Sequence, residues 1–491
     1  MDNISNTSPA IPQRHPKGLY TLFFTEMWER CSYYGMRALL ILFMTNSISQ
    51  GGLGFSDATA GAIYGLYTAS VYLSALPGGW VADRLLGAQN AVWVGGIIIA
   101  IGQFTLAIPR NDTFFLGLLF IILGTGLLKP NVSTIVGKLY PEGGARRDAG
   151  FTLFYMGINL GAVIGPLICG YLGEKVSWRL GFSMAGMGMI FGLIQFHYTK
   201  KHLGDAGICA HKSITQSRDT KILAAGLLVL AMVVLVVWTG VLRIDVIAFA
   251  QTTKWIILGI AVLFFGYIFL FGDLTAEEKR RVGVIVILFL SSALFWSGFE
   301  QAGSSFNLFA QRNTVRDYFG WNMPAGWFQM AGPAFVISLA PIAAAVWIAL
   351  SRRNCEPSLG VKFSIGLMLL GVGFLVMVVA SKRAGEGQVW PSWLLLTFFL
   401  HTIAELCVSP VGLSSVTKLA PNRFVGQMMG VWFLATSLGN LIAGLVAGEA
   451  ADVSGGGMSA QFLQMAIAAV GLGVVLLLFS KPMQQWMKGV K

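Results

Sequence analysis

The chain has 491 residues, 55% hydrophobic and 11% charged, with a formal net charge of +12 and a mean hydropathy of +0.69. Soluble domains carry roughly 25% charged residues, so this composition excludes a soluble globular protein and describes an all-α polytopic membrane protein. In a soluble chain the positive balance would suggest nucleic acid. Here Lys and Arg gathered in the loops on one side of a bilayer account for it, and no nucleic-acid partner is expected.

Residues 1–18 are polar and read as a cytoplasmic tail. The first apolar stretch, Leu19 to Met44, is too long and too charged for a signal peptide. A run of about 26 residues crosses a bilayer with some tilt. Yet this one contains Glu26, Glu29, Arg30 and Arg37, and a charge near the bilayer centre costs about 2.5–3.5 kcal/mol. Glu26 and Arg30 are four apart and share a helical face, which Tyr33, Tyr34 and Arg37 continue. Such a polar stripe faces the protein interior or a wet cavity. Its charges either pair and tie helices together or form a proton site, because burial and a neighbouring cation push a carboxylate in opposite directions.

Hydropathy predicts fourteen spans between residues 19 and 480. Six occupy residues 19–198, a polar loop and two more occupy 199–282, and six occupy 283–480, before a tail over 481–491. The even count and the charge bias place both termini in the cytoplasm. The loop 199–220 carries Lys200, Lys201, Lys212 and Arg218 and divides two halves, as transporter repeats commonly do. Spans 221–241 and 254–272 lack ionisable residues in their cores and read as lipid-facing additions. The five cysteines show no CxxC or metal-ligand spacing, and no histidine has a ligand spacing. No HExxH or GxSxG motif points to an enzyme.

Further polar residues interrupt later spans. Lys129 lies mid-span and precedes Pro130, which frees backbone carbonyls and suits a helix lining a cavity. Tyr155 and Asn159 share a face; Glu300 sits in the span 283–310; and Glu405 lies mid-span, with Pro410 expected to break its helix. Left unpaired, the seven charges Glu26, Glu29, Arg30, Arg37, Lys129, Glu300 and Glu405 would cost roughly 17–25 kcal/mol. That exceeds a typical net stability of about 5–15 kcal/mol. They must therefore be paired or hydrated.

Several motifs carry a family resemblance. GGWVADRLLG at 78–87 resembles the loop between spans two and three of major facilitator superfamily transporters. The Glu-x-x-Glu-Arg run at 26–30, KPNVS at 129–133, FYMGINLG at 154–161 and the ELxxSPVGLS run at 405–414 together resemble the proton-dependent oligopeptide transporters of that superfamily, in the bacterial fourteen-helix form.

The resemblance implies two six-helix bundles with two extra helices between them. It also implies import of di- and tripeptides, or peptide-like drugs, by a monomer in the cytoplasmic membrane, with the proton as coupling ion and no other cofactor. It makes Glu26, Glu29, Arg30 and Glu300 the proton-coupling groups. Arg30 and Lys129 would hold the peptide carboxylate, and Glu405 its amino group. Tyr33, Tyr34, Tyr67, Asn159, Trp296 and Trp432 would line the pocket. Arg37–Glu300 and Lys129–Glu405 would be the external and cytoplasmic gates. Two positions depart from the family pattern. Cys31 replaces a common phenylalanine, and Gly332 replaces the asparagine that binds the peptide's amino end. The second departure keeps open a proton-coupled carrier of another small solute, such as a modified amino acid.

Overall fold

With no water to satisfy backbone polar groups inside a bilayer, a spanning chain must fold as helices or a closed barrel, and this chain folds as helices. The structure is a computed structural model that describes residues 14–108, 110–142, 144–208, 216–449 and 457–487. Lys212, within the polar loop, lies outside the described residues.

The first half comprises α1 (Lys17–Thr45), α2 (Asp57–Leu73), α3 (Ala75–Val81), α4 (Ala88–Leu106), α5 (Asn111–Lys138), α6 (Gly144–Lys175) and α7 (Trp178–Thr199). Then come α8 (Gln216–Trp238) and α9 (Val246–Phe271). The second half comprises α10 (Ala276–Phe299), α11 (Ser305–Asn313), α12 (Ala331–Arg352), α13 (Leu359–Ala384), α14 (Ser392–Leu419), α15 (Val425–Glu449) and α16 (Gly457–Trp486). A two-residue hairpin, Asp317–Tyr318 with Trp321–Asn322, decorates the loop after α11.

Among the described residues, twelve segments are long and apolar enough to cross a membrane. The predicted first two spans are not among them: α1 carries its four internal charges, and α2 is 17 residues long. The second span is broken rather than continuous. Helix α2 ends at Leu73, α3 follows, and a π-helical turn runs over Ala82–Leu86. At the break the Ser74 hydroxyl donates to the carbonyls of Val71 and, on α5, Ile122, at 2.9 and 3.0 Å. The backbone bonds from Ser74 to Ser70 and from Gly78 to Ser74 are kept; the missing rung is at Pro77, which has no N–H for the carbonyl of Leu73, where α2 ends.

Within the first half, α1 packs against α6 and α7, and α4 against α5 and α7. Within the second, α13 packs against α14 and α16, and α10 against α14, α15 and α16. The halves meet chiefly where α2 crosses α15 and where α6 meets α12 and the 3₁₀ turn Ala325–Met330. The α1–α6 contact sets the site. At Gly161 an added Cβ would stand 2.9 Å from the Arg30 Cβ, and at Gly165 it would stand 2.8 Å from the Gly35 backbone nitrogen. Small residues four apart let two backbones approach inside a membrane, so these glycines bring α6 against the charged face of α1.

The two additional helices differ from each other. Helix α8 buries none of its apolar window, as expected of a lipid-facing element. Helix α9 instead buries Ala250, Ile257, Ala261, Phe265 and Ile268 along one stripe. It packs that stripe on both α2 and α15, covering a seam between the halves, while Trp255, Val262, Leu263 and Leu270 leave its other face exposed and apolar.

Candidate functional site

Helix α1 carries its charges as a pre-formed ion cluster. The Arg30 guanidinium grips Glu29 through Nε and, at 2.7 Å, through Nη2, and its Nε also lies 3.2 Å from Glu26 Oε1. All three side chains are buried. Glu26 Oε2 is buried with no hydrogen-bond partner. The Arg30 guanidinium also lies over the Tyr33 ring at 5.0 Å, and Tyr33 stacks on Tyr67 at 6.5 Å. An unpartnered carboxylate oxygen away from water is costly, so Glu26 is the least satisfied member of the cluster.

Two turns further along, Arg37 Nη2 lies 2.7 Å from Glu300 Oε2, and both residues are buried. Arg37 Nε donates to the Tyr64 hydroxyl at 2.7 Å. The expected continuous span 283–310 is interrupted here. Helix α10 ends at Phe299, a 3₁₀ turn covers Glu300–Gly303, and α11 begins at Ser305. The interruption lets the chain pass close to α1: a Cβ on Gly303 would meet Arg37 Nε at 2.6 Å. It also puts Glu300 where Arg37 can reach it. Beyond this pair, Arg312 donates twice to Asp57, at 2.5 and 2.8 Å, joining the end of α11 to the start of α2. Glu174 accepts from the backbone N–H groups of Ala325 and Gly326 at 2.8 Å each. These contacts close one end of the molecule between the halves.

The other expected gate is not formed. Lys129 sits over the Tyr72 ring at 4.2 Å, and among the described ion pairs none joins it to Glu405. Both residues are partly exposed. Helix α5 continues through Pro130, and α14 is continuous over residues 392–419, so the break expected at Pro410 does not occur. Lys129 lies within electrostatic reach of Arg30, Glu29 and Glu26, and Tyr34 within reach of Arg30, Arg37, Glu300 and Glu405. The structure therefore gathers the charged residues of α1, α5, α14 and the turn after α10 around one region.

The remaining predicted pocket residues are less free. Asn159 spends its side-chain N–H on the carbonyl of Tyr155 at 2.9 Å. Trp432 is buried, its ring against Gly412 of α14. Trp296 packs on Phe295 and Phe299 and leaves Nε1 without a partner. Around Gly332 a Cβ would meet nothing within 4 Å, so the missing asparagine leaves open space. His401 is a packing residue, bonded to the Leu370 carbonyl at 3.1 Å and set between Phe306 and Phe374. Sequence reading did not single out Tyr64, Tyr72, Asp57, Arg312 or Glu174. Tyr64 and Tyr72 carried a usable signal, since they lie eight apart on the helical face that meets Arg37 and Lys129.

A helical bundle of two halves, closed at one end and carrying ionisable groups in its interior, defines a secondary transporter of the major facilitator type. The chain belongs to the POT family, whose model matches residues 89–461. It is 41% identical to a peptide transporter, YePEPT, of Yersinia enterocolitica subsp. palearctica, over 97% of this chain and 96% of the relative. It is 37% identical to a di-/tripeptide transporter of Lactococcus lactis subsp. cremoris, with both chains covered in full. A crystal structure of a mutant peptide transporter POT in complex with alafosfalin superposes with a TM-score of 0.89 at 41% identity, over 98% of each chain.

Proposed function

We propose that this chain is a proton-coupled symporter that imports di- and tripeptides by alternating access. It would work as a monomer in the cytoplasmic membrane with both termini in the cytoplasm, and the proton is its only coupling partner. The observation that carries the reading is the distribution of charge across the halves. Arg30 and Lys129 sit on the first half and Glu405 on the second, which suits a zwitterion held end to end. The names of the relatives support the same substrate class.

In this reading the described state is closed at the Arg37–Glu300 end and open at the Lys129–Glu405 end. Protonation of Glu26 or Glu29 cancels part of the pull on Arg30 and frees its guanidinium for the peptide carboxylate, aided by Lys129. Protonation of Glu300 weakens its pair with Arg37 and lets the closed end part. Tyr33, Tyr34, Tyr67, Asn159, Trp296 and Trp432 supply a wall that reads side chains loosely. A proton moving inward contributes about 2.3 kcal/mol per 100 mV.

The test is labelled dialanine uptake into proteoliposomes under an inward proton gradient, beside Glu26→Gln, with and without a protonophore. Concentrative uptake that both treatments abolish is expected. Uptake that never exceeds equilibrium would refute the coupling. Gly332 supports a second reading, a proton-coupled carrier of another small solute, because the open space beside it lacks an amide for the peptide's amino group. That reading predicts that no peptide in a panel competes for transport.

A further inference from the structure

We propose that the cleft between α4 and α7, at the end of the bundle where α1 begins, binds the headgroup of an anionic phospholipid, with its acyl chains lying along the seam below. A cavity of about 550 Å³ opens there, lined among others by Trp93, His197, Tyr198, Lys200, Lys201 and Asp205. Its floor is aromatic: Trp93 stacks on Phe196 at 6.3 Å and lies 5.6 Å from the His197 ring. Its rim is cationic, with Lys200 and Lys201 exposed against the single carboxylate of Asp205.

The wall is built rather than incidental. The Gln89 amide donates to the carbonyls of Gly204 and Ala206 at 3.0 and 2.8 Å, and its backbone N–H donates to Gly207 at 3.2 Å. This ties the turn after α7 onto the start of α4. Gly204 and Gly207 hold positive φ in that turn, a conformation that favours glycine.

The occupant follows from what lies beneath. On α4, Ile97 and Ile101 continue the Trp93 face at intervals of four and are exposed; on α7, Ile194 is exposed on the face leading to Tyr198. The two helices pack together. An apolar seam that ends in an aromatic residue, two lysines and a histidine matches an amphiphile with an anionic head. Trp and Tyr favour the membrane interface, and basic side chains there attract anionic lipid. A soluble phosphate would use the lysines and leave the seam unexplained. The proposal does not rest on the transport reading.

The test uses the full chain in detergent, titrated with phosphatidylglycerol, with phosphatidylcholine of the same acyl chains, and with glycerol 3-phosphate. Retained molecules are counted by native mass spectrometry, and Tm is followed in parallel. Phosphatidylglycerol is expected to bind and raise Tm more than phosphatidylcholine, and glycerol 3-phosphate neither to bind nor to compete. K200Q/K201Q should weaken phosphatidylglycerol binding roughly tenfold, whereas K200R/K201R should retain it. Both side chains are exposed, so neither variant disturbs the core. Equal retention by K200Q/K201Q, or equal retention of the two lipids, would overturn the proposal. Full competition by glycerol 3-phosphate would also overturn it, and would assign the cavity to a soluble phosphate.

Discussion

The crossing of α2 and α15 offers a way to bias which end of the molecule is open. Near the closed end the two backbones meet through glycine. A Cβ on Gly444 would stand 2.5 Å from both the Cα and the N of Gly65, and one on Gly448 would stand 2.7 Å from the Ala58 Cα. Carbon atoms rest at about 3.5–4.0 Å, so Gly444→Ala forces the helices apart by roughly 1 Å. Overpacking of this kind costs about 1–3 kcal/mol. In the alternating-access reading this end opens by parting the halves at the α2–α15 crossing, which relieves the clash. The same energy therefore shifts the closed–open balance toward opening by about five- to 150-fold. Spin labels at Ser49→Cys and Phe319→Cys, both exposed and on opposite halves, would report the separation by double electron–electron resonance. Cys209 and Cys355 would be replaced by serine. Gly471→Ala, whose Cβ meets nothing within 4 Å, is the control. A longer-distance population in Gly444→Ala alone is expected. A distribution like that of the control would refute the steric argument.

Glu300→Gln removes the charge opposite Arg37, and breaking a buried pair costs about 3–5 kcal/mol. Gradient-driven dialanine uptake should fall at least roughly tenfold while proton-independent counterflow persists; unchanged driven uptake would remove Glu300 from the coupling. Lys129→Ala should raise the KM for dialanine about tenfold or more, as expected for a lost charged hydrogen bond of about 1.5–3 kcal/mol. It should also erase discrimination against dialanine amide, and retained discrimination would place the carboxylate elsewhere. Gly332→Asn fits the open space and should strengthen inhibition by dialanine but not by N-acetyl-dialanine; an equal effect on both would show that the position does not meet the amino end. In the loop after α12, the hydrogen bond from Lys362 to Glu356, at 2.7 Å, holds the Glu356 carboxyl below its ordinary range. A depressed pKa stabilises the fold above the ordinary carboxylate value and loses that contribution as pH falls through the folded value. Glu356→Gln should therefore lower stability at pH 7 by at most about 0.5 kcal/mol, since Glu356 is half-exposed. The deficit should vanish in acid, and one that grew with acidification would contradict the pairing.

The residue pattern alone determined that the chain spans a membrane, where its helices run, and which charges need partners. Hydropathy is a local property, and a charge in an apolar run announces itself at once, so Glu26, Glu29, Arg30, Lys129, Glu300 and Glu405 were all legible. Spacing on one helix also exposed the Glu26–Arg30 pair, because four residues complete about one turn. Tertiary structure decided the rest. That Arg37 pairs with Glu300 while Lys129 and Glu405 stand apart depends on how two halves are tilted, and the same sequence must allow both arrangements if it alternates. The break after Leu73 had a local signal in Pro77, which cannot bond the Leu73 carbonyl, whereas the interruption at Glu300–Gly303 lies against Arg37 and Tyr64, contacts that no window of sequence contains. Pro410 invited the opposite error, since a proline is read as a local stop while neighbouring helices in a membrane can carry the backbone through it. The second latch, Asp57 with Arg312, joins residues 255 positions apart, and only packing of one half against the other could bring them together.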